Sequence, residues 1–95
     1  MENFTESKTY KAFKEYKEKQ PNCIILMRCG NFYETYDGDA LILGRVTGVT
    51  VTSLNPNVSN SPKMAGFPYH ALDIYLPKMV RYGNVYGKRI AIAEA

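Results

Sequence analysis

Apolar positions along the chain change spacing several times, and each change marks an element. Between Thr5 and Lys19 the aromatic residues Tyr10, Phe13 and Tyr16 recur at threes with Ala12 beside them. That spacing predicts a helix with one buried aromatic stripe, ended by Pro21. "CIILMR", Cys23 to Arg28, is apolar almost without break, as in a central strand covered on both faces. Gly30 and Asn31 suit a tight turn into "FYETY", where Phe32, Glu34 and Tyr36 face one way and Tyr33 and Thr35 the other. Asp37-Gly38-Asp39 then breaks the pattern, with Asp39 as N-cap of a short helix, "ALILGRVTG".

The β-branched run Val49 to Ser53 predicts a strand, and the Asn-, Ser- and Pro-rich stretch from Leu54 to Gly66 a long surface loop of the kind that is mobile or functional. A last helix is expected from Tyr69 to Tyr82, with Leu72, Tyr75, Leu76, Met79 and Val80 on one face and distortion at Pro77. "YGNVYGKR" reads as turn-rich, and "IAIAEA" as a closing strand. With no repeat and no linker, residues 1–95 form one domain. Its expected class is α/β, α+β-like in detail, with a mixed sheet and flanking helices.

Composition narrows the function classes. The apolar fraction of 45% and charged fraction of 22% are those of a folded globular chain. The formal charge of +3 permits a nucleic-acid partner without demanding one. No apolar run approaches the roughly 20 residues a bilayer-spanning helix needs, and no signal-peptide pattern opens the chain, so a soluble, cytoplasmic protein is expected. Cys23 and Cys29 lie at opposite ends of one strand, about 20 Å apart, beyond disulfide reach, and read as reduced thiols.

Catalytic chemistry finds little support. Glu34, Asp37 and Asp39 form the one acidic cluster that could hold Mg²⁺, but the remaining ligand spacing of a calcium loop is missing, and a turn with a helix cap accounts for both aspartates. His70 has no partner at a metal or catalytic spacing. Neither a phosphate-binding glycine loop nor a nucleophile elbow is present. No enzyme activity is expected.

The stretch that folding alone does not explain is the hairpin tip. A turn needs Gly30 and Asn31, not a phenyl ring and a carboxylate beside them. Capping of the core is one reading of the rings. The other is a wedge: an exposed ring inserted beside a base partly unstacks the step, which costs a few kcal/mol, and least where pairing is already defective. A carboxylate there is repelled by phosphates and is useful only if it hydrogen-bonds a base.

These residues resemble the MutS family of mismatch-recognition proteins. "RCGNFYETY" resembles the family's "RxGDFYExF", "KMAGFPYHALDIYLPKMVRYG" its "PMAGxPYHAxxxYLxKLVxxG", and "KRIAIAEA" its "xRVAICEQ". The likeness runs from about Tyr10 to the end and concerns the N-terminal domain, domain I. It implies a mixed-sheet domain that binds duplex DNA containing mismatches or small loops, at the nucleoid when so bound. Phe32 would then stack on the mispaired base from the minor groove, and Glu34 would hydrogen-bond it. Tyr33 would pack into the domain. Arg28, Asn31 and Lys63 are further DNA-contact candidates, with Lys88 and Arg89 behind them.

Departures from the pattern weaken the expected affinity. Asn31 replaces the family's Asp, and Ser53-Leu54-Asn55 stand where basic residues are usual. Phosphate contacts carry much of any DNA affinity, so this domain alone should bind weakly. "NVY" reads as an insertion, and Ala93 to Ala95 alter the family's closing residues. The connector, lever, clamp and ATPase domains of full-length members have no counterpart in these motifs, so ATP and Mg²⁺ belong to that ATPase domain and no cofactor is expected here. Further MutS-type domains in a longer parent are the implied partners. Met1 favours a stand-alone chain and the end just after a strand favours an excised one. The alternative function is a protein-interaction or regulatory module that has kept the fold and lost strong DNA binding.

Overall fold

A computed structural model describes residues 7–94. Helix α1 (Lys8–Lys19) is followed by the hairpin β1 (Cys23–Cys29) and β2 (Phe32–Tyr36), then α2 (Asp37–Thr47). After these come β3 (Thr52–Ser53), β4 (Lys63–Pro68), a 3-10 turn (Tyr69–Ala71), α3 (Leu72–Tyr86) and β5 (Arg89–Glu94). The sheet order is β3-β4-β2-β1-β5, with β5 parallel to β1 and every other pairing antiparallel. The expected mixed sheet with flanking helices is what the chain adopts.

The unbroken apolar run of β1 follows from its place in the sheet. Ile24 and Leu26 point into a cluster with Tyr33, Leu43, Phe67 and Met79, beneath α2 and α3. Ile25 and Met27 point the other way, into a cluster with Tyr10, Phe13 and Tyr36, beneath α1. Each fully buried Leu, Ile or Met contributes about 1.5–3 kcal/mol, so β1 anchors both layers.

Helix α1 begins where Ser7 Oγ accepts the Tyr10 amide at 3.2 Å, and stops at Gln20, just before Pro21. The Thr5–Glu6 part of the expected helix lies outside the described residues. Four other expectations need correction.

First, Asp39 is not an N-cap. The chain passes from β2 into α2 at Tyr36, with Asp37 in the left-handed region at φ 55°, and Asp39 sits inside the first turn, 5% exposed. Its carboxylate instead joins three elements, accepting the Ile25 amide at 3.0 Å and pairing with Lys17 Nζ at 3.1 Å. Burial pushes its pKa up, against the lowering effect of those two donors.

Second, the strand expected over Val49 to Ser53 is only Thr52–Ser53, because Val49 and Val51 pack sideways on the core beside α2. Third, the loop is shorter than Leu54 to Gly66. Lys63–Pro68 is an internal strand, and residues 54–62 are tied by Leu54 N to Pro62 O at 2.7 Å and Asn55 N to Ser61 Oγ at 2.7 Å. Fourth, the last helix runs on to Tyr86 through the segment read as turns. Gly83 is a packing residue there, since a Cβ on it would strike the Lys88 carbonyl where the chain enters β5.

Candidate functional site

The β1–β2 hairpin carries the wedge candidates at its end. Gly30 turns the chain at φ 59°, and its carbonyl accepts the Arg28 Nε–H at 2.6 Å. The Asn31 carbonyl accepts the Tyr69 amide at 2.8 Å, which fastens the turn to the end of β4. Phe32 faces Cys29 on one side and Pro68 on the other, and the residue is 49% exposed. Tyr33, on the opposite face, is 8% exposed and packs on Phe67 at 5.7 Å between ring centroids. The alternation read from "FYETY" therefore places one ring outside and the next in the core.

Glu34 lies on the Phe32 face, two residues and roughly 7 Å along the strand. The Tyr36 hydroxyl donates to its Oε1 at 2.7 Å. Tyr36 is 1% exposed, with its ring held edge-on by Tyr10 at 5.2 Å and Phe13 at 5.3 Å. Burial, and then the neighbouring Glu34 carboxylate, raise the Tyr36 pKa well above the phenol range, so it stays a donor. Across from Glu34 stands Gly66 on β4, which leaves room for the carboxylate stem: a Cβ there would lie 2.6 Å from the Tyr33 carbonyl and 3.3 Å from Glu34 Cγ.

Of the basic candidates, only Arg28 is at the tip. Its guanidinium stacks on the Tyr69 ring at 4.4 Å, on the Tyr33 side of the sheet. Lys63 sits five residues down β4 from the Phe32 level, about 17 Å away. Arg89 pairs with Cys23 at the far end of β1, which puts Lys88 and Arg89 roughly 20 Å from the turn. Lys8 was not singled out from the sequence, yet it lines an open cleft beside the turn with Thr9, Arg28, Cys29, Gly30 and Glu94.

The acidic cluster is dispersed. Glu34 is bonded to Tyr36, Asp37 accepts the Tyr10 hydroxyl at 3.0 Å, and Asp39 holds Ile25 and Lys17. Among the described residues no three His, Cys, Asp or Glu side chains gather as a metal site. Both cysteines are free thiols. His70 is exposed beside Tyr69. Like Lys8, Tyr36 and Tyr69 are residues of this region that the sequence did not single out. Tyr69 joins it only because β4 pairs with β2, and that strand was hidden by Ala65-Gly66.

The family model of MutS domain I matches residues 7–95. Similar curated proteins include the DNA mismatch repair protein MutS of Phocaeicola vulgatus, 50% identical over 84 residues, and that of Bacteroides fragilis, 46% identical over the same length. Each alignment covers 88% of this chain and 9% of the relative. The MutS of Parabacteroides distasonis is 43% identical over 94 residues, 99% of this chain and 10% of its own. The chain thus spans about a tenth of the length of the curated relatives it matches. Among the described residues no helix is long and apolar enough to cross a membrane.

Proposed function

The chain belongs to the MutS domain I family, and from that premise we propose that it is the mismatch-recognition module of a DNA mismatch repair protein. Its ligand is duplex DNA carrying a mismatch or small loop. It works alongside further MutS-type domains, in the cytoplasm and on the nucleoid. The role is binding; nucleotide hydrolysis is not assigned to it. The observation that carries the reading is the half-exposed Phe32 at the end of the hairpin, with Glu34 on the same face of the strand.

Phe32 enters from the minor groove and stacks on the mispaired base, and Glu34 accepts a hydrogen bond from that base. Stacking on an aromatic side chain is worth about 1–3 kcal/mol per base. Unstacking a sound step cancels most of that gain, whereas a mismatched step is already loosened. The difference between those two costs is the selectivity. Tyr33 and the Arg28–Tyr69 stack support the tip from behind, and Asn31 ties it to β4.

The test is fluorescence anisotropy at low salt on matched and single-mismatch duplexes. Phe32→Ala and Glu34→Ala should each lose the preference for the mismatch. Phe32→Ala should weaken mismatch binding by roughly 5- to 150-fold, the stacking energy expressed as affinity. Equal binding of both duplexes by parent and variants would refute the wedge. A second reading, a protein-interaction module without strong DNA binding, draws support from the distance of Lys63, Lys88 and Arg89 from the tip. It predicts no salt-dependent binding of either duplex.

A further inference from the structure

We propose that Tyr36 is the positioning residue for Glu34, its hydroxyl fixing the carboxylate in the orientation from which it meets a base; this rests on the wedge reading above. The two side chains leave the same face of β2 two residues apart, and the phenol donates to Oε1 at 2.7 Å. Tyr36 is itself confined, because Tyr10 and Phe13 close on its ring and leave 1% of the residue exposed. Gly66 opposite leaves the Glu34 stem a lane with no competing side chain.

A surface glutamate ordinarily samples many rotamers, and ordering it on binding opposes association. Here the hydroxyl commits one oxygen and leaves Oε2, with the second lone pair of Oε1, as acceptors for a donor on the base edge. The ordering is done before DNA arrives. The ring alone cannot do this, because a phenyl has no donor to offer the carboxylate; the bond belongs to the Tyr36 hydroxyl. Tyr36→Phe therefore deletes one oxygen atom and keeps the ring between Tyr10 and Phe13.

The experiment compares parent, Tyr36→Phe, Glu34→Ala and the double variant by anisotropy on matched and single-mismatch duplexes, with Phe32→Ala as reference. A ¹³C relaxation measurement on the Glu34 Cγ methylene is made without DNA. Tyr36→Phe should lower the mismatch preference about fivefold, the value of one hydrogen bond. It should have no further effect once Glu34 is Ala. The Glu34 methylene order parameter should fall while the β2 backbone amides keep theirs.

An unchanged order parameter overturns the inference, as does an equal loss of preference in the Glu34→Ala background. If Phe32→Ala and Glu34→Ala abolish the preference but Tyr36→Phe keeps it, the wedge stands and the positioning role is refuted. If Phe32→Ala changes nothing, the wedge has failed, and the methylene order parameter alone decides whether Tyr36 orients Glu34.

Discussion

Replacing Asp39 by Ala tests how the base of the hairpin is held. The carboxylate accepts the Ile25 amide at 3.0 Å and pairs with Lys17 at 3.1 Å, so one side chain joins β1, α1 and α2. Removing it orphans the amide of a fully buried residue, which costs about 1–3 kcal/mol. Lys17 loses less, because its ammonium keeps the Cys23 carbonyl at 2.7 Å and the Pro21 carbonyl at 3.3 Å. Relief of carboxylate desolvation offsets part of the total. The net is a loss of about 2 kcal/mol, a Tm lower by roughly 8–16 °C for a chain of this size. The pH dependence is the sharper test. Burial raises the Asp39 pKa above its ordinary 3.8, so the folded protein binds the proton more tightly than the unfolded chain does. The stability due to Asp39 is thus fully present below pH 3.8 and falls as the pH rises through the folded pKa. Urea denaturation of parent and Asp39→Ala at several pH values reads the gap directly. It should narrow with rising pH. A gap that widens instead would mean that the Lys17 pair outweighs burial and that the reasoning is wrong.

Three further perturbations have defined outcomes. Thr35 is fully buried, and among the described residues its Oγ1 has no hydrogen-bonding partner, so Thr35→Val should stabilise by about 1 kcal/mol in thermal denaturation; a lower Tm would show that the hydroxyl is satisfied. Gly66→Ala puts a Cβ 2.6 Å from the Tyr33 carbonyl and should destabilise by about 1–3 kcal/mol, with a weaker mismatch preference as Glu34 is pushed aside; unchanged Tm and preference would contradict the lane assigned to Gly66. Tyr36, its pKa raised above the ordinary 10.0, contributes stability that is complete below pH 10 and declines above it. The stability advantage of parent over Tyr36→Phe should therefore shrink by about 1.4 kcal/mol per pH unit beyond that point in urea titrations, and a constant advantage would refute the buried-donor assignment.

What the sequence revealed, and what it hid, follows from how local each signal is. β1 was legible because a strand covered on both faces must be apolar at every position. The split of Phe32 from Tyr33 was legible because a strand alternates. β4 was missed because its middle is Ala65-Gly66, chosen for close approach to β2, which reads locally as loop. The end of α3 was missed for the related reason that Gly83 makes room for the Lys88 carbonyl rather than ending the helix. Asp39 has the composition of a cap, yet its partners lie 14 and 22 residues away in the chain. The bond from Tyr36 to Glu34 spans two residues and was open to inspection, but it needs the two carbon frames fixed by Tyr10, Phe13 and Gly66. Long-range pairing, not local propensity, decided each feature that was missed.

On the proposed reading, the arrangement separates probing from support. Phe32 is half exposed and neighbours the turn, where few buried contacts depend on it, so its loss should change binding with little change in Tm. Asp39, Tyr36 and Tyr10 lie at the other end of β2 or beneath it and carry the polar contacts that hold the hairpin on α1 and α2. On the proposed reading, a wedge that unstacks a base must not yield when it is loaded, and a load on Phe32 would pass down a strand of only five residues into that buried network. Glu34 sits midway, partly buried and bonded to the network through Oε1. Phe32→Ala should then be additive with Asp39→Ala in stability, since the two share no partner. Glu34→Ala and Tyr36→Phe share one hydrogen bond and should not be additive. Additivity in the second pair would place Glu34 outside the network.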